Sequence, residues 1–226
     1  MRFRSLFLWD VRFQMRYGFY LLYAILTAIY AAILFAVPPG WREKTAAILI
    51  FSDPAAMGLF FMGAMVLLEK SQHTPCAFAV SPVRPVEYIA AKAASLSVIS
   101  LAVAAALATA AGLPHIRIVL CGTFLSGVIF TLLGILIATK IASLNQFLLW
   151  TVPFEAACFT PAVLHLFGAA PDWLRYDPAG VCMEMVSGQA PSAIGITGVL
   201  AVTACLFVSS ESSVASMWNR MGGANL

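Results

Sequence analysis

Two carboxyl groups stand where carboxyl groups are costly. Asp53 falls inside an apolar run over about 46 to 68, and Glu155 inside another over about 146 to 168. At the helical rise per residue they lie roughly 6 Å and roughly 3 Å from the midpoints of those runs. A charge so deep is tolerated when it is protonated, hydrogen-bonded or open to a wet cavity. Both acids are therefore candidates to face a wet cavity or to carry a proton. Prolines stand beside both, Pro54 after Asp53 and Pro153 and Pro161 around Glu155; they bend helices and free carbonyls, which suits a cavity lining. Two plainer readings stay open: Asp53 capping a helix broken at Pro54, and Glu155 as a neutral packed carboxyl. His165, near the outer end of the same run, reads as a packed or interfacial histidine.

A second group of polar residues interrupts two long apolar runs. From Glu69 and Lys70 through Ser71, Gln72, His73 and Thr74 to Ser81, Pro82, Glu87 and Lys92, it has acids near both ends and a basic rim. Its pattern is that of a contact surface for a soluble partner rather than of a catalytic pocket. Thr74 before Pro75 predicts an N-cap and first helical residue, because the hydroxyl accepts an orphan N–H and proline has none to lose. The short helix must stop near Val80 or Ser81, since the residue before Pro82 is pushed out of the helical region. The next helix then runs from Val86 into an apolar run, with Glu87 at its positive end.

The elements that hold these residues follow from composition. With 62% hydrophobic and 10% charged residues and a mean hydropathy of +0.92, the chain cannot cover a soluble globule of its length. Lipid forbids open sheet edges and a bilayer needs roughly 20 apolar residues per span. The fold class is an all-α integral membrane protein, one domain over 1–226, with spans at about 18–37, 46–68, 93–113, 118–139, 146–168 and 192–210. Arg2, Arg4, Arg12, Arg16, Lys70, Arg84, Lys92, Lys140 and Arg220 fall on one side. Arg42, Lys44, Arg117 and Arg175 fall on the other. The positive-inside rule makes the first side, with both termini, cytoplasmic.

Residues 1–17 begin like a signal peptide but lack a small-residue cleavage site, so they are expected to stay. Their aromatics Phe3, Phe7, Trp9, Phe13 and Tyr17 suit headgroup depth, which predicts an elbow along the inner interface. Asp10, Arg12, Gln14 and Arg16 alternate at period two, so helical amphipathicity is poor. Ala24, Ala28 and Ala32 form a ridge on which another helix can pack closely. The segment 169–191, with Pro171-Asp172-Trp173-Leu174 and a short helix near 181–186, is long enough for a re-entrant lid. Five cysteines make no disulfide framework, Cys182 standing alone in the outer loop. Zinc spacings, HExxH, GxSxG and GxxxxGK[ST] are absent from the sequence. Any nucleotide that drives this protein is therefore expected on another chain.

Phe51-Ser52-Asp53-Pro54-Ala55, then Leu67-Leu68-Glu69-Lys70, Ala79-Val80-Ser81-Pro82-Val83, Glu87-Tyr88 and Lys92 together resemble the permease subunits of ABC type-2 transporters, most of all the bacterial fluoroquinolone-export subgroup. The resemblance extends through length and six spans, with its specific residues within about 51–92. It implies a coupling helix between spans two and three that sits in a groove of an ATPase subunit. Glu69, Lys70, Ser71, Gln72, His73 and Thr74 would face the ATPase, Ser81 and Pro82 would end the contact, and Glu87 and Lys92 would anchor the third span. His73-Thr74-Pro75 stands where a Gly-Thr-Leu-like segment is usual.

The resemblance further implies two permeases, as a homodimer, with two ATPases in the bacterial cytoplasmic membrane. ATP and Mg2+ would be bound by the partner chains, with no cofactor, metal or nucleic acid on this one. Amphiphilic drug-like or hydrophobic cargo would leave the cytoplasm past Asp53 and Glu155. A haem-exporter-like permease is a subfamily alternative. Two other classes remain: a proton-coupled secondary transporter using Glu155 or Asp53, for which inverted repeats would be the sign, and a non-transporting membrane assembly factor.

Overall fold

The computed structural model describes residues 2–171 and 176–221, with residues 2 and 54–57 described by their backbone alone. Among the described residues the chain is helical without strands, and six helical stretches are long and apolar enough to cross a membrane. A short helix α1 (Arg2–Arg16) precedes the first span α2 (Phe19–Ala36). The second span is compound: α3 (Pro39–Pro54), a π-helical stretch Ala55–Phe61, then α4 (Met62–Ser71). The short α5 (Thr74–Ala79) leads to α6 (Pro85–Ala111), α7 (Ile116–Lys140) and α8 (Leu144–Leu166). After the outer segment come α9 (Pro178–Val186) and α10 (Ala193–Met221).

The predicted spans lie where the helices run, because apolar length alone decides them. The differences fall at the ends. Span two begins earlier, at Pro39, and span six continues to Met221, since a helix does not end where its hydrophobicity does. The π-helix was not expected. Pro54 has no N–H to return to the preceding turn, and the lost bond relaxes the register downstream.

α6, α7 and the second span form the packed centre, whereas α2, α8 and α10 leave most of their surface outside it. Two glycine contacts bring the centre together. A Cβ on Gly134 of α7 would meet the Gly58 carbonyl oxygen of the π-helix at 2.6 Å, and one on Gly63 would meet the Phe147 ring at 1.9 Å. At Gly134 the missing side chain lets two helix backbones touch, and at Gly63 it makes room for the Phe147 ring. Phe51 joins the layers with its ring 5.9 Å from both Phe130 of α7 and Phe159 of α8.

α1 is a regular helix, and its pattern corrects the period-two reading. Asp10, Phe13 and Gln14 form one buried face at helical spacing, while Phe3, Trp9 and Tyr17 are exposed. Phe13 is thus a packing residue, not a headgroup aromatic. At α5 the cap is also different from the expected one. His73 precedes the helix in the left-handed region (φ 55°) with no side-chain cap, and Thr74 is already helical.

Candidate functional site

The acids and bases of the loop between spans two and three divide into a buried set and an exposed set. Lys92 on α6 is fully buried, its ammonium donating to Glu69 Oε1 at 2.6 Å and to Asp10 Oδ1 at 3.1 Å. The Tyr88 hydroxyl donates to the other Glu69 oxygen at 2.5 Å. Lys92 Nζ also lies 4.8 Å from the Tyr88 ring centre. One face of α6 supplies Tyr88, Lys92 and Ser95. Ser95 extends the cluster by accepting from Gln14 Nε2 at 2.9 Å. Three elements are clamped by these bonds: the elbow helix, the inner end of span two and the start of span three.

Glu69 and Lys92 therefore do not occupy the places expected of them. Glu69 is 1% exposed and Lys92 is 0% exposed, so neither faces solvent or a headgroup layer in this conformation. The physical reason is pairing: charges so buried persist when every one has a partner. Lys70 is likewise committed. Its ammonium donates to the carbonyls of Ile141 at 2.6 Å and Ala138 at 3.1 Å, capping the carboxyl end of α7, where a cation meets the negative end of the helix. Asp10 and Gln14, which complete the cluster, were missed in the sequence. Their spacing of four was the available signal.

What remains outward is a compact rim. Ser71, Gln72, His73 and Pro82 are exposed, and Thr74 and Ser81 are half-buried. Ser81 Oγ donates back to the Phe78 carbonyl and Ser71 Oγ to that of Leu68. Glu87 is at the predicted helix start, where its Oε2 accepts from the Arg84 N–H at 3.0 Å. α5 is seated on aromatics: Phe78 lies 5.5 Å from both Tyr88 and Trp218, and Cys76 Sγ donates to the Met221 carbonyl. Since Tyr88 also holds Glu69, a push on α5 reaches the charge cluster through one ring.

Asp53 presents the opposite case. It is 1% exposed, yet neither of its oxygens has a hydrogen bond of good geometry, and the nearby Tyr23 hydroxyl is buried and unpaired as well. Ser100, Tyr23 and Tyr30 are the polar groups around it. Glu155 is half-buried and continues the inward stripe Phe147, Thr151, Cys158 and Ala162 of α8. Neither acid lines the apolar cavity of about 250 Å³ beside them. Phe51, Phe130, Phe154, Cys158, Leu206 and the rim residue Asp177 are among those that do.

Asp177 caps α9 by accepting from the N–H groups of Ala179 and Gly180. Cys182 of α9 lines the same cavity as Cys158, so it is not alone; burial and nearby Asp177 push its thiol up to about 12, which keeps it unreactive. His165 packs on α9, its Nε2 3.9 Å from Glu184. Residues 172–175 of the expected lid lie outside the described residues. No cluster of metal-ligating side chains occurs among the described residues.

The sequence profile of the Fluoroquinolones export permease protein family matches residues 2–190. Two fluoroquinolones export permease proteins of Mycobacterium tuberculosis, from strains CDC 1551 / Oshkosh and ATCC 25618 / H37Rv, are each 33% identical over 150 residues. That is 66% of this chain and 63% of theirs. The aligned part thus spans somewhat less than two thirds of these relatives' length. Matching nearly all of the elbow, the charge cluster, the α5 rim and the first five spans, the chain belongs to the fluoroquinolones export permease family.

Proposed function

We propose that this chain is the membrane-spanning subunit of an ATP-driven exporter, pairing with a second copy and with two separately encoded ATPases. The observation that carries the reading is α5. It is a short helix with an exposed rim at Ser71, Gln72, His73 and Pro82, mounted on aromatics and on a buried charge cluster that ties three elements together. Such a mount transmits a displacement instead of absorbing it. ATP-driven closure of the ATPases would move α5, and with it spans two and three, between inward-open and outward-open packings. The exposed faces of α2, with Ala24, Ala28 and Ala32, and of α8 are the surfaces we assign to the second copy and to lipid.

Cargo of the fluoroquinolone kind, amphiphilic with an aromatic core, suits the cavity around Phe51, Phe130 and Phe154. Asp53 and Glu155 border the same path and would meet its cationic end once the packing opens. A second reading is favoured by Asp53 itself, whose unpaired carboxyl suits a proton-coupled transporter. One experiment separates them. Coexpressed with an ATPase subunit of a fluoroquinolone-export transporter, the protein is expected to copurify in a two-plus-two assembly whose export of a fluoroquinolone from vesicles stops when the ATPase is inactivated. Export that continues without the ATPase and follows a proton gradient would replace this reading with the second.

A further inference from the structure

At the end of the bundle that carries α5, a cleft of about 470 Å³ opens between the carboxyl ends of α7 and α10. Lys140 and Arg220 line it, and so do Ser212, Ser213 and Ser216. Among the described residues the cleft carries no carboxylate. The one acid of that stretch of α10, Glu211, points to the opposite side, because successive side chains turn by about 100° and the serines share one face. Lys70 closes the floor, its ammonium spent on the α7 carbonyls. That neutralises the negative helix end which would otherwise repel an anion. Lys140 and Arg220 are exposed and make no salt bridge among the described residues.

A second cavity of about 420 Å³ adjoins the first, sharing Lys140 and Ile141 with it. Its walls are apolar: Ile137, Trp150 and Phe154. A basic, hydroxyl-rich cleft continuous with an apolar groove along a span matches one chemistry, a phosphodiester with acyl chains attached. The geometry points to a site for an anionic phospholipid, its phosphate between Lys140, Arg220, Ser213 and Ser216 and one chain along Trp150 and Phe154. The site is independent of the transport reading, since it needs neither the ATPase nor cargo. It would hold α7 and α10 together at the end where α10 supports α5 through Trp218.

Native mass spectrometry of the purified full-length protein, titrated with phosphatidylglycerol or phosphatidylcholine, tests it. Phosphatidylglycerol should bind at least tenfold more tightly. Lys140→Gln with Arg220→Gln should weaken it by roughly 30-fold, about fivefold per cation removed, whereas Lys140→Arg with Arg220 kept should retain most of the wild-type affinity. Ser213→Ala with Ser216→Ala should weaken it while leaving charge unchanged, which general attraction to a basic surface would not do. Arg117→Gln, at the other end of α7, should change nothing. Equal binding of the two lipids by the wild type, or equal loss in the Arg117 variant, would overturn the site. Complete displacement of the lipid by millimolar inorganic phosphate would overturn the acyl groove and leave a small-anion site.

Discussion

Glu69 and Asp53 are both acids of the second span, both 1% exposed, and their surroundings are opposite. Glu69 has an ammonium on one oxygen and a phenol hydroxyl on the other. Asp53 has neither, and a buried tyrosine hydroxyl beside it is also unpaired. A buried network whose charges are all paired fixes one packing, because every departure from it strands a charge; only the Gln14 Oε1 lacks a partner there. An unsatisfied buried group does the reverse: it destabilises the packing in which it is seen and favours any other that lets it reach water or a ligand. The Glu69 end of the span is thus held together, whereas its middle, where Pro54 and the π-helix follow Asp53, carries a buried carboxyl with little to hold it.

The largest effect that could break this contrast is expected at Lys92. Lys92→Met leaves Glu69 and Asp10 buried with no cation between them, which costs roughly 3 to 5 kcal/mol. The variant should accumulate poorly in membranes, and α1 should become open to protease near Arg12 and Arg16. Adding Glu69→Gln and Asp10→Asn should recover most of the lost thermal stability, because the stranded charges are gone. Unchanged stability of Lys92→Met alone would show that the cluster does not hold α1 to α6.

At Asp53 the sign should reverse. Asp53→Leu removes a carboxyl that only Ser100 approaches and keeps the volume, so it is expected to stabilise the purified protein by at most roughly 1 to 3 kcal/mol, the desolvation cost of the group. Over a chain of this size that is a rise in Tm of about 2 to 4 °C per kcal/mol. Export should fall at the same time, if the middle of the span must leave this packing during the cycle. A loss of stability instead would mean that Asp53 has a partner, and the two halves of the span would no longer differ.

The sequence made the two regions unequally legible. Spans were readable because apolar length is a local property, and Asp53 and Glu155 stood out because a charge inside such a run needs a reason. Glu87 at the start of α6 was readable for the same cause: its partner is the N–H three residues back. The cluster was not. Glu69 was expected against the ATPase and Lys92 as an anchor of the third span, since nothing local says that they meet each other and Asp10 across three helices. Asp10 and Gln14 were hidden further by the polar residues between them, which imitate a strand-like period. His73 was concealed by Thr74-Pro75, a good cap on paper, while the chain turns one residue earlier through a left-handed histidine. The π-helix leaves no compositional mark beyond Pro54.

The smallest expected effect concerns the charge balance of the cluster. Two carboxylates face one ammonium, so the site carries an excess negative charge when both are ionised. Burial pushes the Asp10 carboxyl above its ordinary 3.8, Lys92 partly opposes this by attraction and a hydrogen bond, and Glu69 adds to the rise. A group whose native pKa is raised binds more protons folded than unfolded between the two values. Its contribution therefore favours the fold at low pH and is lost as pH rises from about 3.8 through the native value. Asp10→Asn keeps the shape and an acceptor for Lys92 but cannot titrate. Tm measured against pH for the two proteins should converge at the acid end and separate in favour of the asparagine variant as pH rises through that window. The separation should be slight, because the attraction of Lys92 offsets much of the burial. Curves that separate the other way, with the wild type gaining on the variant as pH rises, would mean that the ionised Asp10 is fully compensated, and the cluster would then be as balanced in charge as it is in hydrogen bonds.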